Sequence, residues 1–366
     1  MLNPGVLLLN LGSPDSPSVS DVRKYLDQFL MDERVIDYPD WQRSLIVKGL
    51  ILPTRPKNTA EAYEKIWTEQ GSPLVVTSKA QRDLLQKKLD IPVALGMRYG
   101  NPSTSSAVES LIQKGVDDFL IFPLYPHYAM SSFETAYQEA IKAIRKWLPQ
   151  AQTLLMPPFY REAGYIQAMA ASIEPYIKDG DFDRLIFSFH GIPERHLCKT
   201  DPSKGHCLSE NCCLTPHPAH HTCYKHQCVI TTHLLIQTLG IPKEKCLQTF
   251  QSRLGRSPWL QPYSDQVIDQ LAEDGIKKIR VVCPSFVTDC LETLEEIGMT
   301  AKESFESKGG TELKLIPCLN ENPIWIDYLA QRVTQSLAGR YPQPAPSGQT
   351  DAKDQPDEKQ VEAAAN

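Results

Sequence analysis

The chain has 366 residues and a formal net charge of −6, a length that fits about two domains. Hydrophobic residues make up 41% of it, so it can bury a sizeable core. The charge gives no sign of the strong basic patch that a nucleic-acid-binding surface needs. No uninterrupted apolar run approaches the ~20 residues of a membrane span, so we expect no transmembrane anchor.

The two ends of the chain differ in composition. The N-terminus begins almost directly on the apolar run Val6–Leu11, without the basic and apolar regions of a signal peptide, so we expect a cytoplasmic protein. The stretch after Arg340 is rich in Pro, Gln, Ala and acids, and five acids against two lysines give it a charge of −3. This composition predicts a disordered tail over residues 340–366.

Apolar runs with the length of strands alternate with segments of helical spacing along the chain. Up to Pro157-Pro158 the pattern predicts strands at Val6–Leu11, Val93–Met97, Phe119–Leu124 and Thr153–Met156, and helices at Asp21–Leu30, Ser105–Lys114 and Glu134–Trp147. Beyond that point it predicts strands at Leu185–Phe189, Leu247–Phe250, Ile279–Val282 and Leu313–Ile316, and helices at Arg161–Ile177, Tyr224–Thr238, Asp265–Ala272, Cys290–Ser307 and Pro323–Leu337, the last capped by Asn322. Such alternation favours parallel sheets covered on both faces, so we expect an α/β fold of two doubly wound halves, residues 1–160 and 161–339.

A histidine, His190, follows directly on the strand Leu185–Phe189, and Gly191 then turns the chain. In open α/β sheets, ligands bind outside the carboxyl ends of the strands, so His190 stands where a site is expected. On position alone, a structural histidine bonded to the backbone is an equally good interpretation.

Three carboxylates follow the strand Ile279–Val282. Asp289, Glu292 and Glu296 have the spacing i, i+3, i+7, which places them within roughly 60° of one another on a helix. Like charges on one face repel, so the arrangement favours a bound cation, although acids also suit the first turn of any helix. Imidazole and carboxylate together suit Fe²⁺, and mutual repulsion makes carboxylates better proton acceptors.

Arginines and aromatic residues recur at further strand ends and loops: Arg55, Arg98-Tyr99, Arg253 and Trp259. Arginine pairs well with carboxylates, and aromatic rings offer flat apolar walls. Together they indicate a flat, apolar ligand with acidic arms, although each taken singly more often has a structural role.

Several motifs, in order from about Val6 to about Leu337, resemble those of the ferrochelatase family. They are Leu9-Asn10-Leu11-Gly12-Ser13-Pro14, Ser188-Phe189-His190-Gly191-Ile192-Pro193, Tyr224-Lys225-His226-Gln227-Cys228, Phe250-Gln251-Ser252-Arg253 with Pro258-Trp259-Leu260, and Cys283-Pro284-Ser285-Phe286 with Asp289-Cys290-Leu291-Glu292-Thr293-Leu294-Glu295-Glu296. Long motifs in one order are far more specific than a single pattern. The resemblance implies a lyase, a protoporphyrin ferrochelatase, that inserts Fe²⁺ into a porphyrin held between two Rossmann-like halves.

The resemblance also implies roles for particular residues. His190 and Glu292 would contact the iron or accept protons, and Asp289 and Glu296 would extend the acidic row on a helix with a π-type distortion. Porphyrin binding, by apolar walls or by arginines that hold propionates, is implied for Leu11, Phe29, Arg55, Tyr63, Arg98, Tyr99, Tyr125, Trp259 and Phe286.

Cysteine is concentrated in one segment, since six of the ten cysteines and five of the nine histidines lie between Cys198 and Cys228. In a cytoplasmic chain this density indicates a metal site rather than disulfides. Some ferrochelatases carry a [2Fe–2S] cluster, and the insert at about 197–223 resembles the internal form of that arrangement. Four thiolates are usual, and we predict Cys198, Cys207, Cys212 and Cys213, with Cys223 as substitute. A zinc site built from Cys and His of the same segment is the rival prediction.

Three alternatives stay open. The substrate could be another porphyrin such as coproporphyrin III, the metal could be cobalt or nickel, and the chain could be a non-catalytic haem or iron carrier with an Fe–S sensor. A carrier has no need of a carboxylate row opposite His190, which favours catalysis. The sequence leaves the oligomeric state open, and peripheral membrane contact is compatible with an apolar substrate.

Overall fold

The computed structural model describes residues 2–255 and 257–340. Within them, eight strands form two parallel four-stranded sheets, in the orders β2-β1-β3-β4 and β6-β5-β7-β8. The strands are β1 Pro4–Ser13, β2 Val93–Gly100, β3 Asp118–Pro123, β4 Gln152–Leu155, β5 Arg184–His190, β6 Cys246–Gln251, β7 Lys278–Val282 and β8 Glu312–Leu315. The predicted α/β fold with parallel sheets is confirmed.

Helices connect the strands and cover both sheets. The α-helices are α1 Val19–Leu30, α2 Asp40–Ser44, α3 Leu52–Ile66, α4 Pro73–Gln86, α5 Thr104–Gln113, α6 Thr135–Trp147, α7 Ala163–Ile173, α8 Glu194–Thr200, α9 Tyr224–Leu239, α10 Ser264–Glu273, α11 Lys302–Ser307 and α12 Pro323–Arg340. In the part of the chain that the structure describes, π-helical segments lie at Leu45–Ile51, Met130–Glu134 and Glu292–Ala301, and short 3₁₀ turns at Glu174–Tyr176, Pro218–His221 and Lys243–Lys245. No helix in the described ranges has both the length and the apolar character needed to cross a membrane.

The central strand of each sheet carries a continuous apolar run because of its position. β1 lies between β2 and β3, and β5 lies between β6 and β7, so both central strands are paired on each edge. Helices on both faces then leave no side of these strands in water, which requires a continuous apolar run. In β5 the register sets His190 opposite Gln251, at the carboxyl edge of the sheet.

One buried cluster joins the two halves. It contains side chains of both sheets and of α12, among them Phe122, Phe187 and Trp325. α12 packs on α4 and α7. Arg332 also donates to the Pro157 carbonyl at 2.8 Å. The two halves therefore share a core. The boundary between residues 160 and 161 stays a prediction.

The end of α12 corrects one boundary. The helix runs beyond the predicted Leu337 to Arg340, whose guanidinium pairs with Asp118 at 2.9 Å. Asn322 accepts from the Ile324 N–H at 2.9 Å, so the predicted cap is confirmed. The predicted tail began at Arg340, which is helical, and its remainder, residues 341–366, lies outside the described residues.

Candidate active site

A cleft opens where the carboxyl ends of both sheets face each other. Its volume is about 790 Å³, including space open to solvent. The wall comes from β1, α1, α4 and the start of α9, from the loops after β3, β5 and β7, and from the π-helical segments that contain Ser131 and Glu292. The predicted site residues in this wall are Leu11, Phe29, Tyr125, His190, Phe286 and Glu292.

His190 ends β5 with one ring nitrogen already engaged. Its Nδ1 lies 2.5 Å from the Gly191 carbonyl oxygen. A carbonyl only accepts, so a neutral His190 carries its hydrogen on Nδ1 and keeps a lone pair on Nε2. Gly191 permits the tight turn that follows, since a Cβ there would lie 2.8 Å from the Gln251 carbonyl oxygen. His190 therefore presents a nitrogen that can take a proton or a metal ion.

Glu292 and Glu296 belong to the π-helical segment Glu292–Ala301. Glu296 accepts from the Ser252 N–H at 2.9 Å and from the Ser252 hydroxyl. Burial raises the pKa of Glu296; the negative charge of Glu292 acts in the same direction, while Ser252 and His190 oppose the rise. Glu296 thus lies within electrostatic reach of both His190 and Glu292 and holds a proton more readily than a solvated carboxyl group.

Asp289 does not share that helix. The helix begins after it, and its buried carboxylate accepts from the Cys318 N–H at 3.2 Å, the Thr293 hydroxyl at 3.0 Å and the Asn320 amide at 2.6 Å. The prediction of three carboxylates on one helix face is therefore wrong for Asp289. Its oxygens fix the loop at the start of the helix.

Arg98 is held by a buried acid rather than directed into the cleft. It pairs with Asp32 and donates to the Thr135 hydroxyl at 2.7 Å, while the neighbouring Tyr99 hydroxyl donates to Asp32 at 2.9 Å. Burial opposes the ionisation of Asp32, yet hydrogen bonds from Thr135 and from the backbone, and the charge of Arg98, lower its pKa. These contacts give Arg98 a partner before any ligand binds.

The remaining predicted porphyrin contacts lie behind or beside the cleft wall. Tyr63, on α3, is buried in the apolar cluster between α1 and α3, and Phe29 packs against this cluster. Trp259 donates to the Leu254 carbonyl at 2.8 Å and lies against Gly191. Loss of hydration lowers the pKa of Arg55, while the charges of Glu292 and Glu296 oppose this effect, so its guanidinium is within reach of the acidic side of the cleft.

Several wall residues were not singled out from the sequence. They are Asn10, Leu74, Leu124, His127, Ala129, Ser131, Ser132, Ile192, Tyr224, Ser285, Val287, Thr288 and Cys290. Tyr224 and Ser285 belong to segments that resemble the family, and this resemblance could have identified them as site residues. His127 follows β3, and its position at a strand end was the same kind of signal that selected His190.

The insert brings four thiols together. The Sγ atoms of Cys212 and Cys213 are 3.9 Å apart. Cys223 interacts with both Cys213 and Cys207. These contacts lower the pKa of Cys223 to about 6, and the hydrogen bond from Cys213 has the larger effect. Cys198 is exposed on α8, so Cys223, the predicted substitute, stands in this thiol group instead. Across residues 2–255 and 257–340, no three His, Cys, Asp or Glu side chains are arranged as a metal ion requires.

Imidazoles support the backbone of this thiol group. His206 and His220 each place Nε2 at 2.9 Å from the Cys212 carbonyl oxygen, and His226 places Nδ1 at 2.8 Å from that of Cys213. Because these carbonyls only accept, each ring uses its N–H on the backbone.

Comparison with known proteins agrees with this architecture. A family model described as ferrochelatase matches residues 3–337. The ferrochelatase of Opitutus terrae is 48% identical over 337 residues, 91% of this chain and 97% of the relative. That of Ectopseudomonas mendocina is 45% identical over 343 residues, 92% and 100% of the two chains. The solved structure of SirB from Bacillus subtilis with Fe³⁺ shares the fold, with a TM-score of 0.54 at 12% identity over 93% of this chain and 97% of that one. The chain is therefore an enzyme of the ferrochelatase family.

Proposed function

We propose that this ferrochelatase inserts Fe²⁺ into protoporphyrin IX, releasing two protons and forming protohaem, the terminal step of haem biosynthesis. The observation that carries the proposal is the presence of His190 and Glu292 in the wall of one largely apolar cleft. An apolar slot suits a flat macrocycle, and an imidazole with a carboxylate suits ferrous iron.

The chemistry follows from the geometry of a porphyrin. Its four nitrogens point inward and two carry protons, so a metal ion enters only after those protons leave. A cleft that binds the ring buckled tilts the nitrogen lone pairs and N–H bonds out of the plane. Binding energy from the ring edges supports that distortion. Leu11, Phe29 and Phe286 are the walls that would hold the ring in this form.

His190 and Glu292 are the groups we assign to iron contact and proton acceptance. The free Nε2 of His190 is available for either role, because Nδ1 is engaged with Gly191. Glu296, whose pKa is raised, is suited to receive a proton from Glu292. For the propionates we assign Arg55, because Arg98 is already paired with Asp32.

The thiol group has the number of thiols that a [2Fe–2S] cluster uses as ligands, which is four. We propose Cys207, Cys212, Cys213 and Cys223 as the ligands, with zinc as the rival occupant. The contacts among the four sulfurs and the lowered pKa of Cys223 support this set. When bound, such a cluster supplies one-electron redox chemistry, while the imidazole N–H groups hold the ligand backbone in place.

We also propose a cytoplasmic location with peripheral membrane contact. All ten cysteines are unpaired, which suits a reducing compartment. Trp41, Leu45 and Leu50, in α2 and the π-helical segment after it, are 67%, 64% and 69% exposed. We call these three residues the apolar patch. Lys48 lies within it, so an apolar surface with a cation is available to an anionic bilayer.

The test is anaerobic metalation by the purified protein. Protoporphyrin IX and Fe²⁺ are added, and metalation is followed by the change in the porphyrin spectrum. Insertion that is lost in His190→Ala supports the proposal. Faster metalation of coproporphyrin III, or with Co²⁺ or Ni²⁺, would reassign the substrate or metal. Porphyrin binding with no metal entry under any condition would favour the carrier alternative.

A further inference from the structure

Three side chains on one face of α9 contact the walls of the active site. Tyr224, Gln227 and Thr231 have the spacing i, i+3, i+7, which sets them on the same side of the helix. All three are buried. α9 begins where the cysteine-rich insert ends, so one helix touches both regions.

Tyr224 closes a hydrogen-bonded ring around the backbone of His190. The His190 N–H donates to the Ser285 hydroxyl oxygen at 3.2 Å, and the Tyr224 hydroxyl donates to the His190 carbonyl at 2.8 Å. The Ser285 hydroxyl lies 3.0 Å from the Tyr224 oxygen and is left to donate to it. Each hydrogen is used once, and both backbone polar groups of His190 are held.

Thr231 sets the tautomer of a second imidazole. Its hydroxyl donates to the Tyr160 carbonyl at 2.8 Å, so its oxygen accepts from His127 Nε2 at 2.9 Å. Burial lowers the pKa of His127 to about 3, so the ring is neutral and its Nδ1 carries a lone pair. That nitrogen is buried without a hydrogen-bond partner among the described residues, and His127 lines the cleft.

Gln227 ties the same helix face to the insert. Its Oε1 accepts from the Tyr128 N–H at 2.7 Å, next to His127. Its Nε2 donates to the His221 carbonyl at 2.9 Å and to the His220 carbonyl at 3.3 Å. The cleft wall after β3, the helix and the insert are therefore joined through one side chain.

Cys223 caps this helix and also belongs to the thiol group. Its sulfur accepts from the His226 N–H at 3.5 Å, in the N-cap position of α9. A change in the bonding of that sulfur therefore acts on the first turn of α9, in which Tyr224 is the first residue.

We propose that Tyr224 and Thr231 are positioning residues for His190 and His127, and that α9 carries the state of the thiol group to both imidazoles through its Cys223 cap. The inference rests on the proposed catalytic role of His190.

Conservative variants of the full chain test the positioning roles. Tyr224→Phe removes both hydrogen bonds of the Tyr224 hydroxyl, the one to the His190 carbonyl and the one from Ser285. It is expected to lower kcat about three- to tenfold with an unchanged KM for protoporphyrin IX. Thr231→Val is expected to let His127 change tautomer, because the hydroxyl that accepts from Nε2 is lost. The tautomer is measured by ¹⁵N NMR of the imidazoles without substrate. His233→Ala, an exposed position on α9, is the matched control and should change neither reading. Wild-type kcat in Tyr224→Phe, or an unchanged His127 tautomer in Thr231→Val, would overturn the positioning roles.

The cap is tested by two substitutions at one position. Serine caps helices well and alanine does not. Cys223→Ala is therefore expected to shift the imidazole signals of His190 and His127, and Cys223→Ser to leave them near the wild-type values. Equal shifts in both variants, or none in Cys223→Ala, would overturn the cap as the route. If the wild type inserts no iron, the proposed function fails, yet the NMR signals still judge the coupling.

Discussion

Asp37 and Arg195 meet across the two halves of the chain, with Arg195 Nε donating to Asp37 Oδ1 at 2.7 Å. Lys199 pairs with the other carboxylate oxygen, and His196 Nε2 lies 3.4 Å from Oδ1. Burial opposes the ionisation of Asp37, but hydrogen bonds from His196, Lys199 and Arg195 hold its pKa well below the usual range. The loop before α2 is thereby fastened to α8, next to the cleft.

Asp37→Asn should lower the free energy of unfolding by about 2–3 kcal/mol at pH 7, because it leaves a cluster of cations without its acid. The folded pKa lies below the unfolded value of about 3.9, so the stabilisation is present above that value and is lost as the pH falls. Denaturant titrations at pH 7 and pH 3 measure this. Asp40→Asn is the control, because Asp40 is 82% exposed. An equal loss at both pH values would contradict the prediction.

Glu292→Gln should reduce iron insertion by about 10²–10⁴-fold while porphyrin binding persists, because the amide keeps the shape of the side chain but neither accepts a proton nor carries charge. Porphyrin fluorescence titration measures binding, and metalation measures turnover. Glu295→Gln is the matched control on the same π-helical segment, since Glu295 pairs with Lys65 at 2.8 Å. Equal losses in both variants would remove the specific role of Glu292.

Replacing Arg55 and Arg98 by methionine, one at a time, should affect different properties of the enzyme. Arg55→Met is expected to raise the KM for protoporphyrin IX about tenfold with little loss of stability, because one charge-assisted contact to a propionate is lost. Arg98→Met should instead lower the thermal midpoint, because it leaves the buried Asp32 without its cation. A raised KM in Arg98→Met with unchanged stability would return the propionate role to Arg98.

Cys207→Ser should abolish metal binding by the insert, whereas Cys198→Ser should leave it intact. Cys207 is buried beside Cys223, and Cys198 is exposed on α8. Iron, sulfide and zinc analysis of anaerobically purified protein, together with its visible spectrum, gives the reading and also separates a cluster from zinc. Equal metal content in the two variants would remove the proposed ligand set.

Trp41→Ser should weaken binding to vesicles that contain anionic lipid, because the apolar patch loses its largest exposed ring. Vesicle flotation measures this at low and high salt. Trp147→Ser is the control, because Trp147 is 47% exposed on α6 and lies outside the patch. The same loss in both variants would make the binding a general surface effect.

The strands were predictable because each central strand is buried on both faces and therefore has no polar alternation to obscure it. His190 was found for a related reason, since a strand end marks the edge where ligands bind. The helices from Asp40 to Ile66 were not predicted: Pro53 and Pro56 interrupt the pattern there, and the apolar patch removes the contrast between a buried and an exposed face.

Several roles of single site residues depend on tertiary contacts that the sequence does not reveal. The regular helical spacing of Asp289 with Glu292 failed because Asp289 bonds Asn320 and Cys318 of the loop after β8, and no local pattern announces such partners. Arg98 likewise pairs with Asp32, which is distant in sequence, so its partner was not predictable from local spacing. Cys223 joined the thiol group because the insert folds back on the start of α9, which cysteine spacing alone does not encode.

The position of α12 has a consequence for synthesis on the ribosome. Residues of the first half, including Asp118 and the Pro157 carbonyl, find partners in Arg340 and Arg332, almost the last part of the chain described. The first sheet can pair its strands as soon as it emerges, but the joint core that includes Trp325 cannot close until translation has passed residue 340. Nascent chains shorter than this expose apolar surface to the cell, and chaperones that bind such surface are expected to stay with the chain until translation has passed residue 340.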